Sequence, residues 1–160
     1  MRGGYRQAAR AKWIVFGLLI VYVAVLTFQN QKSRTPFAEV QRRVLEEADL
    51  GGLQQGGGQD FKRFYGLNEK DYDGLCFYYT NQSMGVEEIL LAASEDSGKL
   101  EELQRAAEER IRVQLKNFEG YGEEQTRLLQ DAVLVKKGSY FLMAVSPSAE
   151  EIKHQFLKNV

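Results

Sequence analysis

The feature that most constrains this chain is an uncharged apolar run of 16 residues, Trp13 to Phe28, within "AKWIVFGLLIVYVAVLTFQNQKS". No polar stripe interrupts it, as one would in a helix lying on a soluble core. As a helix the run spans about 24 Å, against about 30 Å of bilayer hydrocarbon. Lys12 can snorkel and Trp13 suits the interface, so a slightly thinned bilayer accommodates it. A cleaved leader would need small residues at the first and third positions before the cut. Neither Ala24-Val25-Leu26 nor Gln29-Asn30-Gln31 supplies them, and no cysteine follows closely for lipid attachment. The expectation is an uncleaved signal-anchor helix over 13–28, with the lipid bilayer as its partner.

Flanking charge sets the orientation. Arg2, Arg6, Arg10 and Lys12 precede the run, while only Lys32 and Arg34 follow it closely. Short positive flanks stay in the cytoplasm, which predicts a single-pass protein of the cell membrane. Residues 1–12 would be a cytoplasmic tail, 29–59 a juxtamembrane helix with a glycine-rich linker, and 60–160 an extracytoplasmic domain. The roughly 130 residues beyond the anchor suffice for one domain with a real core. All 22 acidic residues but only 17 of the 21 basic ones lie there, a formal charge near −5. That excess speaks for solubility and against nucleic acid as a partner. Cys76 is the only cysteine, so packing and not an internal disulfide must hold the domain.

The pattern after the run is α+β. "TPFAEVQRRVLEEADLGG" reads as a short helix with an apolar stripe of Phe37, Val40, Val44, Leu45 and Ala48. That stripe packs on its own domain or faces the membrane surface or a partner. "LQQGGGQD" has no periodicity and reads as a flexible joint, which places the domain boundary near Asp60. "DFKRFYGLNEKDYDG" predicts two short helical turns, capped by Asp60 and Asn68 and interrupted by Gly66. "LCFYYT" and "EEILLAAS" form one hairpin, "VLVKKGSYFLMAVS" a second with Gly138 in its turn. Between them, Leu100, Leu103, Ala107, Ile111, Leu115 and Phe118 recur at helical spacing, with Asp96 or Ser97 as cap. "GEEQTRLLQDA" and "SAEEIKHQFLKNV" complete the helices. The result is one antiparallel sheet of about four strands packed with helices. Its strands are apolar at both parities, so one face needs helices and the other needs helices or a partner.

The stretches "FKRFYGLNEKDYDGLCFYY", "EEIL" and "FEGYGEEQTRLLQDAVLVKKGSYFLMAVS" resemble an uncharacterised family of small membrane-anchored proteins and lipoproteins of Gram-positive gut bacteria. The resemblance runs from about Asp60 to the end and rests on "FYGL…DYDG" and "KGSYF". It carries a domain-of-unknown-function label and implies no activity. Many of its members use a lipid anchor where this chain has an apolar run.

No motif carries chemistry at a required spacing. Glu69, Asp71, Asp73 and Gly74 copy the start of an EF-hand loop, but Thr80 stands where the bidentate glutamate belongs. A polar turn feeding a strand explains them better. Cys76 as a nucleophile would need a base, and the sole histidine, His154, lies in a distant helix. A buried strand cysteine is the simpler reading. The aromatics are dense, and Phe64, Tyr65, Tyr72 and Tyr78 are the candidate interaction surface for a peptide or carbohydrate. The function expected is a non-enzymatic, membrane-tethered extracytoplasmic binding or scaffolding module, without cofactor or metal, whose partner is an envelope protein or the cell wall. The alternative is a small envelope enzyme using carboxylates among Asp71, Asp73, Glu87 and Glu88, which would have to converge in a cleft.

Overall fold

A computed structural model describes residues 35–160. The expected tail and anchor, 1–28, fall outside the described residues, as does the start of the juxtamembrane segment. No helix among the described residues is long and apolar enough to cross a membrane.

The described chain forms one compact unit from Thr35 to Val160. In order, it comprises α1 (Phe37–Glu46), β1 (Leu53–Gln55), α2 (Gly58–Tyr65), a 3₁₀ turn (Glu69–Asp71), β2 (Gly74–Thr80) and β3 (Glu88–Ala93). Then come α3 (Ser97–Phe118), α4 (Glu123–Gln130), β4 (Val133–Lys137), β5 (Tyr140–Val145) and α5 (Ala149–Asn159). The five strands make one antiparallel sheet in the order β1-β2-β3-β5-β4. This is the α+β class the pattern predicts, with both hairpins in place and β3 against β5 joining them.

Two expectations are corrected. The sheet has five strands, because Leu53–Gln55, read as part of a joint, pairs with Tyr78–Thr80. Three residues with no hydrophobic period become a strand only because an edge of β2 is there to accept their backbone bonds. The second correction concerns the boundary at Asp60. Val40 and Val44 are fully excluded from solvent, so α1 belongs to the domain core. Phe37 stacks on Tyr140 at 6.5 Å, and the Tyr140 hydroxyl donates to the Thr35 carbonyl at 2.6 Å. Gly74 permits this approach: a Cβ there would lie 2.5 Å from the Phe37 ring.

Local chemistry explains the element ends. The Asp96 carboxylate accepts from Gly98 N at 2.8 Å and caps α3, as its sequence predicts. Asn68 accepts from Lys70 N at 3.1 Å and starts the 3₁₀ turn. Asp60 is not the cap of α2 but sits in its first turn, accepting from Gly57 N at 3.3 Å. Gly138 takes φ +59° in the two-residue β4–β5 turn, a conformation glycine reaches without strain.

Strand alternation sends side chains to two cores. Phe77, Leu90, Ala92, Phe141, Met143 and Val145 face α2, α3 and α4. Cys76, Ile89, Leu91, Leu142 and Ala144 face α1 and α5. Helices therefore cover both faces, which accounts for strands that are apolar at both parities.

Candidate functional site

Glu88 opens β3 at an inward parity, with Leu90 and Ala92 following it on the same face. It is 2% exposed, one of two polar residues buried among the described ones. A carboxylate there must be paired. Arg110, one turn past Ala107 on the buried stripe of α3, supplies the partner. Its Nε donates to both Glu88 oxygens at 2.8 Å, and Nη2 adds a second branch. The Tyr65 hydroxyl, at the end of α2, donates to Glu88 Oε1. The guanidinium also lies over the Phe64 ring, 4.1 Å from its centroid, while Arg63 sits 4.6 Å from the same ring.

Electrostatics close this cluster on itself. Burial, reinforced by the Glu88 charge, pushes the Tyr65 hydroxyl well above its ordinary pKa. Burial is the largest single influence and works against the Arg110 charge, but hydrogen bonding and attraction to Glu88, with Tyr65 added, together outweigh it, and the pKa of Arg110 is raised. Tyr65 therefore keeps its proton and Arg110 its charge at neutral pH. Neither is poised to exchange a proton with a substrate. The cluster clasps α2, β3 and α3 together.

Beside the clasp a cleft of about 450 Å³ opens between α2, α3 and the β2–β3 loop. A recess of about 190 Å³ adjoins it, and the two share Phe64, Gly85, Arg110 and Gln114. Gln114 Oε1 is buried there without a hydrogen-bond partner among the described residues. A larger concavity of about 800 Å³ lies between α4 and the start of α5. Its acidic residues, Glu124, Asp131, Glu150 and Glu151, are exposed and share the lining with Arg127. No cluster of three or more metal-ligating side chains occurs among the described residues.

The sequence-predicted residues are placed as follows. Phe64 floors the cleft, half-buried. Tyr65 and Tyr72 are core residues, 6% and 9% exposed, and Tyr78 packs against the opposite core. The four do not form one exposed surface, because strand alternation and the inward faces of α2 separate them. The carboxylates do not converge either. Asp71 and Asp73 lie at the end of the hairpin where Gly74 pairs with Ala93, while Glu88 pairs with Tyr79 at the other end. Five residues of strand separate those ends by roughly 17 Å. Asp71 reaches Lys99 at 3.5 Å, and the Asp73 carboxylate accepts from Glu95 N at 2.8 Å, so both tie the turn to the β3–α3 connection instead of capping it locally. Glu87 has its pKa raised by burial, then by Asp49 and Glu124. Cys76 is 2% exposed with its thiol pushed up to about 11 by burial, and His154 is exposed on α5. They make no nucleophile–base pair.

Arg110 and Gln114 carry the site, and the sequence reading singles out neither. The legible signal is a charged residue at an inward strand parity, which demands a partner from a covering helix.

Residues 46–146, more than half of the chain, match a domain of unknown function, DUF4358. The chain belongs to the DUF4358 family. Its matched span contains the clasp and the cleft and includes neither α5 nor most of α1. No curated protein and no solved structure matches the chain.

Proposed function

We propose that this DUF4358 protein is a membrane-tethered, extracytoplasmic binding module that does no chemistry of its own. The observation that carries the binding half is the character of its cleft. The charged pair there is satisfied by its own neighbours, and Cys76, Asp71 and Asp73 lie elsewhere. What remains is a concavity with an aromatic floor and an unpartnered amide oxygen. Such a site holds a ligand and leaves it unchanged. Support for the tether comes from the uncharged Trp13–Phe28 run and the basic residues before it. The partner would be an envelope protein or a cell-wall component.

The test is made on the full chain expressed in a bacterium. The protein should remain in the membrane after alkaline carbonate extraction, and a reporter fused after Val160 should be active outside the cytoplasm. An amino terminus beginning near Gln29 or Gln31, or reporter activity confined to the cytoplasm, overturns the tether.

A further inference from the structure

We infer that the cleft between α2, α3 and the β2–β3 loop is a peptide-binding groove. It takes an extended segment through one backbone amide, held between Arg110 and Gln114, with an apolar side chain beside it. The inference rests on the binding reading above and does not depend on the tether.

Four observations converge on it. Arg110 and Gln114 are four residues apart on α3, so their side chains lie one turn apart on one face. Arg110 commits Nε and Nη2 to Glu88 and also interacts with Tyr65, and its Nη1 makes no hydrogen bond among the described residues. Gln114 Oε1 is a buried acceptor with no partner among the described residues. A peptide group offers a carbonyl to the first and, once the Gln114 side chain turns its oxygen outward, an N–H to the second. Because it carries both, it satisfies the Gln114 amide in either orientation of that side chain. The apolar component comes from the rim. Among the described residues, Met84, Val113 and Tyr121 are the exposed large hydrophobics, 51%, 45% and 66% exposed. Val113 lines the cleft, Met84 lies between its lining residues Ser83 and Gly85, and Tyr121, which lines a neighbouring concavity, meets its lining residue Phe118 in a tilted contact at 5.8 Å. Exposed apolar side chains gathered around one polar cleft mark an interaction site.

Other ligand classes fit less well. An anion would meet an Arg110 charge already matched by Glu88, with Glu109 beside it. A sugar would need a free aromatic face, and the Phe64 ring has Arg110 and Arg63 against it.

The test uses the full chain in lipid nanodiscs and a phage library of random dodecapeptides. Enriched sequences are synthesised with a fluorescent label and titrated by anisotropy. We expect enriched peptides to share an apolar residue. Gln114→Met and Val113→Asp should each weaken binding at least tenfold, and so should N-methylation of one interior amide. His154→Gln, on the far helix, should change nothing. Thermal melts of each variant separate lost binding from lost folding, since Gln114→Met should melt no lower than the parent. Failure to enrich any peptide overturns the inference. So does binding that is indifferent to Gln114→Met and Val113→Asp, or binding of chitotriose with no peptide binding. Mass spectrometry of the recovered peptide keeps the two readings apart. A cleaved peptide overturns the non-enzymatic function and leaves the groove standing, whereas an intact one supports both.

Discussion

Beneath α1 and α5 the sheet is packed almost entirely with aliphatic side chains. Val40, Val44, Leu142 and Ile152 are fully excluded from solvent there, together with Phe156. Beneath α2, α3 and α4 it is packed with rings: Phe61, Phe77 and Tyr65 meet edge-on or tilted at 5.2–6.4 Å. That same side admits a charged clasp and a cleft with an unsatisfied oxygen. Both faces obey the rule that apolar strand positions need cover. The α1/α5 face spends all of its burial on stability. The other face gives some of that burial up to polar groups, and the proposed groove lies on that face.

The comparison breaks most readily by uncovering the aliphatic face. A chain beginning at Asp60 lacks α1 and β1. Val40 and Val44 alone contribute about 1.5–3 kcal/mol each. Typical domain stability is only about 5–15 kcal/mol. The truncated chain should lose its cooperative unfolding transition or become insoluble, as urea titration followed by circular dichroism would report. A truncated chain as stable as one beginning at Thr35 would mean that α1 is a dispensable stalk and the face needs no cover.

The clasp on the other face gives the next largest effect. Glu88→Leu leaves Arg110 with a partly buried, unpaired charge, and Arg110→Met does the converse to Glu88. Each should cost about 3 kcal/mol, the lower end for a broken buried pair, because Arg110 retains some exposure. The double variant Glu88→Leu/Arg110→Met should recover most of that loss, remaining about 1–3 kcal/mol below the parent because the Tyr65 hydroxyl is left without its acceptor. Unfolding free energies of the four proteins form the cycle that checks this. Additive losses would show that the pair is not a closed unit.

How much of this was legible depends on the range of the signal. The α3 stripe, the Gly138 turn, the Asp96 cap and both hairpins are written in spacings of a few residues. β1 was not, since Leu53-Gln54-Gln55 acquires its conformation from Tyr78–Thr80 some 25 residues away. The apolar stripe of α1 was visible, but its docking on α5 was not, because a stripe does not name its partner. Glu88 could be read as inward from its parity with Leu90 and Ala92. Its pairing with Arg110 spans 22 residues and depends on which turn of α3 passes over it. Nothing in the sequence marks Gln114.

High pH should sharpen the contrast through the aliphatic face. Burial raises the Cys76 thiol from 9.0 to about 11. The unfolded chain therefore releases this proton before the folded one does. Its contribution is fully present below pH 9, falls as pH rises from 9 to 11, and is gone above that. The loss attributable to Cys76 should be about 2–3 kcal/mol. Cys76→Ala should be less stable at pH 7 yet flatter between pH 9 and 11. Denaturant midpoints across that window test the claim, and parallel pH profiles for parent and variant would remove it. Tyr72, raised to about 12 by burial and then by Glu102 and Asp71, adds a similar slope that Cys76→Ala leaves untouched.

The smallest effect runs in the opposite direction. An unsatisfied buried polar group costs about 1–3 kcal/mol. Gln114 Oε1 is such a group, on a side chain that is only partly buried. Methionine has nearly the same volume and a comparable helix propensity, so Gln114→Met removes the polar atoms without leaving a cavity. The variant should gain about 1 kcal/mol, a rise of about 3–5 °C in melting temperature for a domain of this size. A gain here would be the signature of stability given up for recognition. A loss of more than about 0.5 kcal/mol would mean that the amide has a structural partner in solution. The cleft would then be no different in kind from the closed face opposite.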